Sequence, residues 1–310
     1  MSDDQPYESP SPLPEVEPSS PPTPKPAVFR VWPSILSPFA AIVLAGILQV
    51  VLIVGLVISG QVGAESFDAF IGMLTNPPVF LSMLVAGQVA FAITAVAAGY
   101  LSPEPMRQRL AFPPRPAPTR IYLLTMLGSI FVLAIAIGAA YAMTLLFAPD
   151  ESLEQLFENM TVGWAIPFVI LIGVLPGFFE EIFFRGYIQT RFLKRWSPPV
   201  AIGASAILFG IAHITPHAVA LATIFGFWFG YVAWRTGSIG PGILCHFFVN
   251  FGLNLWRMIV KFAEVSETIQ WVVTVVAVVI GLGCFLLAIR ELQKLAPPNG
   301  PSLEMARGSS

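Results

Sequence analysis

The sequence predicts an all-α polytopic membrane protein of about eight transmembrane helices with a polar intramembrane cavity. Composition gives the first reason. The 310 residues are 55% hydrophobic and only 11% charged, with a mean hydropathy of +0.76, whereas an ordinary soluble domain is about 25% charged. So little polar surface cannot cover a globule in water. The second reason is a series of apolar runs, each near the 20 or so residues that carry a helix across a bilayer. The third is a set of ionisable side chains confined to a few of those runs. Two cysteines cannot form a disulfide framework, and a net charge of -2 argues against a nucleic-acid partner.

Residues 1–32 differ in kind. Nine prolines between Pro6 and Pro26 lie among Asp3, Asp4, Glu8, Glu15 and Glu17. Such a stretch buries too little apolar surface to offset the entropy of ordering, so it reads as a disordered, acidic cytoplasmic tail. It lacks the basic start and short apolar run of a signal peptide. The helical domain is expected over 33–292, followed by a short cytoplasmic tail over 293–310.

Eight apolar segments lie near 34–60, 79–101, 121–147, 163–188, 199–214, 218–234, 239–259 and 270–289. The fifth and sixth are short and closely joined at Thr215-Pro216, so a re-entrant hairpin is the alternative there. Basic residues set the orientation. Arg107, Arg109, Arg115 and Arg120 follow the second segment, and Arg191, Lys194 and Arg195 follow the fourth. Arg235 follows the sixth, and Arg290 and Lys294 begin the C-terminal tail. Acidic residues fill the alternate loops: Glu65 and Asp68, then Asp150, Glu151, Glu154 and Glu158, then Glu264 and Glu267. Eight spans put every basic loop on the cytoplasmic side, with both termini there, in what is expected to be the plasma membrane.

Ionisable groups in a spanning helix cost about 2.5–3.5 kcal/mol at its centre, which makes them functional-site candidates. The fourth segment holds Glu180, Glu181 and Arg185. Glu181 and Arg185, at i and i+4, share a face and can pair, while Glu180 is turned about 100° away. Arg185 could instead snorkel toward the basic loop. The fifth segment carries His213 after the small residues Gly203, Ala204, Ser205, Ala206 and Gly210, which allow close helix approach. His217 follows Pro216 and reads as an interfacial, structural residue. In the seventh, His246, Asn250 and Asn254 line one face. Asn254 reads as interhelical glue and Cys245 as a buried hydrophobe, with its pairing to Cys284 left open.

Three spaced motifs, Glu180-Glu181 with Arg185, Phe209 with His213, and His246 with Asn250, then stand in order on separate helices. This set resembles the CPBP family of intramembrane proteases, also called the Abi or type II CAAX prenyl endopeptidase family, over roughly residues 160–260. The resemblance implies an endopeptidase acting on a membrane-associated protein or peptide within the lipid bilayer. On that reading Glu180 is the general base, His213 orients the water, and His246 and Asn250 stabilise the oxyanion, with Glu181 and Arg185 in support. A second version makes Glu180, His213 and His246 ligands of one divalent metal, zinc, with Glu181 as base; the metal-free route is preferred. Depth strains the scheme. His213 is expected nearer the outer side than Glu180 and His246, so its helix must be displaced. A non-catalytic adaptor or immunity-type protein is the rival reading. A transporter is opposed by the absence of paired broken helices in two halves.

Overall fold

The computed structural model describes residues 30–60, 66–102, 104–112, 114–148 and 151–295. The expected tail over 1–29, the C-terminal residues 296–310, Glu65 and Asp150 lie outside them. The helices are α1 (Trp32–Ile58), α2 (Phe67–Leu74), α3 (Pro77–Tyr100), α4 (Met106–Arg109), α5 (Thr119–Ala142), α6 (Glu151–Glu158), α7 (Val162–Glu180), α8 (Thr190–Leu193), α9 (Pro198–Ile211), α10 (Pro216–Thr236), α11 (Gly240–Phe262) and α12 (Glu267–Lys294). A π-helix, Glu181–Gln189, joins α7 to α8, and no strand occurs among the described residues. All eight apolar segments are helical. The all-α polytopic expectation holds.

The span count needs one correction. Seven helices among the described residues are long and apolar enough to cross a membrane, and the fifth segment is not one of them. Its helix, α9, has 14 residues, a length of about 21 Å at 1.5 Å per residue, against a hydrocarbon core of about 30 Å. Local chemistry stops it. Thr215 precedes a proline, which disfavours helix, and its ψ of 138° is extended. Ile214 sits at φ 66°, a left-handed conformation that is costly for a β-branched residue. Pro216 then opens α10 at a position where its missing N–H is no loss. The pair is a helical hairpin with one short arm.

Burial separates rim from centre. Only 6% of the most apolar window of α1 and 11% of that of α12 is buried, against 44% for α10. The outer helices therefore present apolar side chains to lipid, and α10 lies inside the bundle. It packs on α9 and α5, while α7 packs on α11 and α3. Small residues set these approaches. A Cβ on Gly226 of α10 would lie 2.8 Å from the Ala206 backbone of α9, and one on Gly177 of α7 would lie 3.0 Å from the Phe247 nitrogen of α11.

Every residue of the π-helix is buried. A π stretch within a helix often marks a functional site. Here the loop before α5 braces it. Arg109, expected as one of four orienting loop charges, is 3% exposed. It donates to the Tyr187 carbonyl at 3.2 Å and to Ser34 Oγ at 3.4 Å, and it stacks over the Tyr187 ring at 4.0 Å. A Cβ on Gly186 would collide with the Leu110 carbonyl oxygen, a backbone atom that cannot give way. Gly186→Ala should therefore destabilise by about 1–3 kcal/mol, the usual cost of overpacking. The check is the thermal unfolding midpoint of the purified variant in detergent.

Candidate functional site

The π-helix projects Arg185 and Gln189 toward α10 and Glu181 toward α11. Arg185 donates from Nη1 to Glu181 Oε1 at 2.8 Å and from Nη2 to the Gly226 carbonyl at 3.3 Å. Gln189 donates from Nε2 to the Gly230 carbonyl at 2.9 Å. Glycines on α10 make both carbonyls reachable, since no side chain stands over them. The Arg185 guanidinium lies 4.3 Å from the Phe209 ring centroid and 5.4 Å from that of Phe229. It does not snorkel: it is 1% exposed and forms a buried pair with Glu181.

Glu181 has a second partner. His246 Nδ1 lies 3.1 Å from Glu181 Oε1. A carboxylate only accepts, so Nδ1 carries the proton. The imidazole stacks on Phe229 at 5.1 Å and meets Phe209 edge-on at 5.8 Å. One hydrogen bond and two aromatic walls thus fix the ring, with Nε2 pointing toward Glu180. That nitrogen is 3.9 Å from Glu180 Oε2. This is too long for a direct hydrogen bond and is a separation at which one water can touch both groups.

Glu180, 5% exposed, faces a cavity of about 280 Å³ between α3, α7, α9, α10 and α11. Its polar lining is Glu180, Gln88, His213, His246 and Asn250; Leu84, Leu221 and Phe225 are among the apolar remainder. The four residues expected to carry chemistry therefore meet in one place. The depth problem is resolved by the short arm: α9 ends at Ile211, and the turn after it delivers His213 to the cavity. His213 Nδ1 lies 2.9 Å from the Phe209 carbonyl. Only a donor suits that contact, and in the neutral ring Nε2 is then the acceptor. Asn250 spends one N–H on the Ile172 carbonyl at 3.2 Å and retains the other.

Glu181 and Arg185 stand behind the cavity, not in it. Asn254 donates to the Asn250 carbonyl at 2.8 Å, as expected of a structural amide. His217, second in α10, is half-buried and off the cavity lining. Cys245 is fully buried, and neither it nor Cys284 is in a disulfide. Sequence reasoning missed Gln88, whose Nε2 donates to Glu180 Oε1 at 2.8 Å. Its one trace in the sequence is a lone long amide in an apolar helix, which points to no partner by itself. A search for ionisable groups passes over it.

As for a metal, the described residues contain no group of three or more His, Cys, Asp or Glu side chains placed to hold one. Glu180, His213 and His246 all line the cavity, and of these Glu180 and His246 approach to 3.9 Å. Glu181, the base in that scheme, is fully buried between Arg185 and His246.

The site is a buried acid–imidazole pair on intramembrane helices, with a second carboxylate orienting the imidazole. Residues 162–252 match the family model for Rce1-like type II CAAX prenyl endopeptidases, so the resemblance carried by the three motifs holds over this segment. It contains Glu180, Glu181, Arg185, His213, His246 and Asn250, and it leaves out α3. No curated protein and no solved structure matches the chain.

Proposed function

We propose that the protein is a CAAX-type intramembrane endopeptidase that hydrolyses a peptide bond of a membrane-associated protein or peptide. The observation that carries the proposal is the facing of Glu180 Oε2 and His246 Nε2 across 3.9 Å, with Glu180 Oε2 free of any hydrogen bond. A water between them is deprotonated by Glu180 as its oxygen attacks the scissile carbonyl carbon. His213 Nε2 accepts that water's other proton in a hydrogen bond and so aims it. His246 and Asn250 donate to the oxyanion of the tetrahedral intermediate. When the C–N bond breaks, Glu180 returns its proton to the leaving amine.

Charge balance supports these roles. For Nε2 to donate, His246 must be an imidazolium, and it then lies between two carboxylates. Arg185 compensates Glu181, and the imidazolium compensates Glu180, so the buried cluster is neutral as a whole. The apolar remainder of the cavity suits a lipid-embedded substrate and keeps bulk water from the intermediate.

The metal-free route fits this arrangement better than the metal route, because Glu181 has no face on the cavity. Chelation of the purified protein followed by assay should leave cleavage intact, with metal analysis run on the same sample. Loss of activity on chelation and its return on adding zinc would reverse this assignment. Comparative membrane proteomics of wild-type and Glu180→Gln cells tests the function itself. An adaptor predicts identical proteomes and an unchanged phenotype. A protease predicts an uncleaved precursor in the variant.

A further inference from the structure

Glu180 is held from outside the matched segment. Gln88 lies midway along α3, is 5% exposed and lines the same cavity. Its Nε2 donates to Glu180 Oε1 at 2.8 Å, an orientation fixed by the acceptor-only chemistry of the carboxylate. Other polar side chains of α3 behave differently. Ser82 and Thr94 bond back to Pro78 and Ala90 carbonyls of their own helix. Gln88 reaches across to the acid, and its own Oε1 takes no hydrogen bond from another protein group.

The two oxygens of Glu180 are thereby made unequal. Oε1 is tied to Gln88, and Oε2, the one nearest His246, is left to react. The terminal torsion of a Glu side chain is broad and roughly two-fold, so a carboxylate without this bond would turn and lose its aim. We infer that Gln88 is a positioning residue of the active site, acting through Glu180 to hold its reactive oxygen toward the water shared with His246. The inference rests on the reading of Glu180 as general base.

Gln88→Met keeps the length and removes the donor. On a quenched-fluorescent farnesylated peptide with a CaaX end, kcat should fall about 10–100-fold, the scale of loss from misplacing a catalytic group. KM and the thermal midpoint should hold. Because Gln88 acts through Glu180, adding Gln88→Met to Glu180→Asp, whose shorter carboxylate has already left the bond, should cost little further. A third readout needs no substrate. The Glu180 band in the infrared difference between wild type and Glu180→Gln should shift when Gln88 becomes Met. An unmoved band, or a full independent loss in the double variant, overturns the inference. So does a lowered midpoint with unchanged kcat, which marks a merely structural amide. If the wild type does not cut the peptide, the CaaX reading fails, and the infrared arm still decides the role of Gln88.

Discussion

Glu180→Gln should abolish measurable cleavage while leaving the protein as stable as the wild type or slightly more so. The amide has the shape of the carboxylate but cannot take a proton from water, and loss of a general base typically costs about 10²–10⁴-fold. Stability is expected to hold because Glu180 contributes little to it. Oε2 has no hydrogen bond to lose, and Oε1 keeps the donor from Gln88. Removing a buried carboxylate also relieves its desolvation, which offsets the loss of its 3.9 Å pairing with the His246 ring. Two measurements together check this: accumulation of the uncleaved precursor in membranes of variant cells, and the thermal midpoint of the purified variant. Cleavage at the wild-type rate would remove Glu180 from the reaction and with it the proposed mechanism. A collapse of the midpoint would show instead that the acid is structural, as Glu181 is.

The contrast between these adjacent glutamates was partly legible in the sequence. A rotation of about 100° between neighbours on a helix says that they face different partners, and the i, i+4 spacing gives Arg185 to Glu181. That His246 also belongs to Glu181, through Nδ1, was not legible, because it depends on how α11 is set against α7. The apolar segments were legible to within a few residues, since the bilayer imposes their length and the hydropathy follows. Three features were hidden. The π-helix arises from packing, with Gly186 against the Leu110 carbonyl and Arg109 capping Tyr187, and no local preference announces it. The shortness of α9 turned on the left-handed Ile214, although Thr215-Pro216 marked where a break could fall. Gln88 was hidden because an uncharged amide carries no conspicuous cost until its partner is known to be a buried acid.

Arg185→Met should destabilise the protein more than any other single change in the site, by about 3–5 kcal/mol, the cost of breaking a buried pair by removing one partner. The guanidinium does three things at once. It neutralises Glu181, which has no exposed surface. It also satisfies the Gly226 carbonyl on α10 and fills the space between Phe209 and Phe229. Methionine restores only the last of these. Activity should fall with stability, because Glu181 without Arg185 no longer holds the His246 ring in one place. Two companion variants separate charge from geometry. Arg185→Lys keeps the charge but not the planar fork that reaches Glu181 and Gly226 together, so it should recover only part of the loss. Glu181→Gln combined with Arg185→Met removes the uncompensated carboxylate and should unfold later than Arg185→Met alone, since replacing both members of a buried pair is often close to neutral. The double variant should nevertheless remain poorly active, because the amide it sets beside His246 is an acceptor without a charge to balance the imidazolium. Thermal or denaturant unfolding of the three variants in detergent, with cleavage assayed in parallel, measures each claim. If Arg185→Met and the double variant unfold at the same point, the buried charge on Glu181 is not what Arg185 compensates, and the proposed division of labour between the two glutamates fails with it.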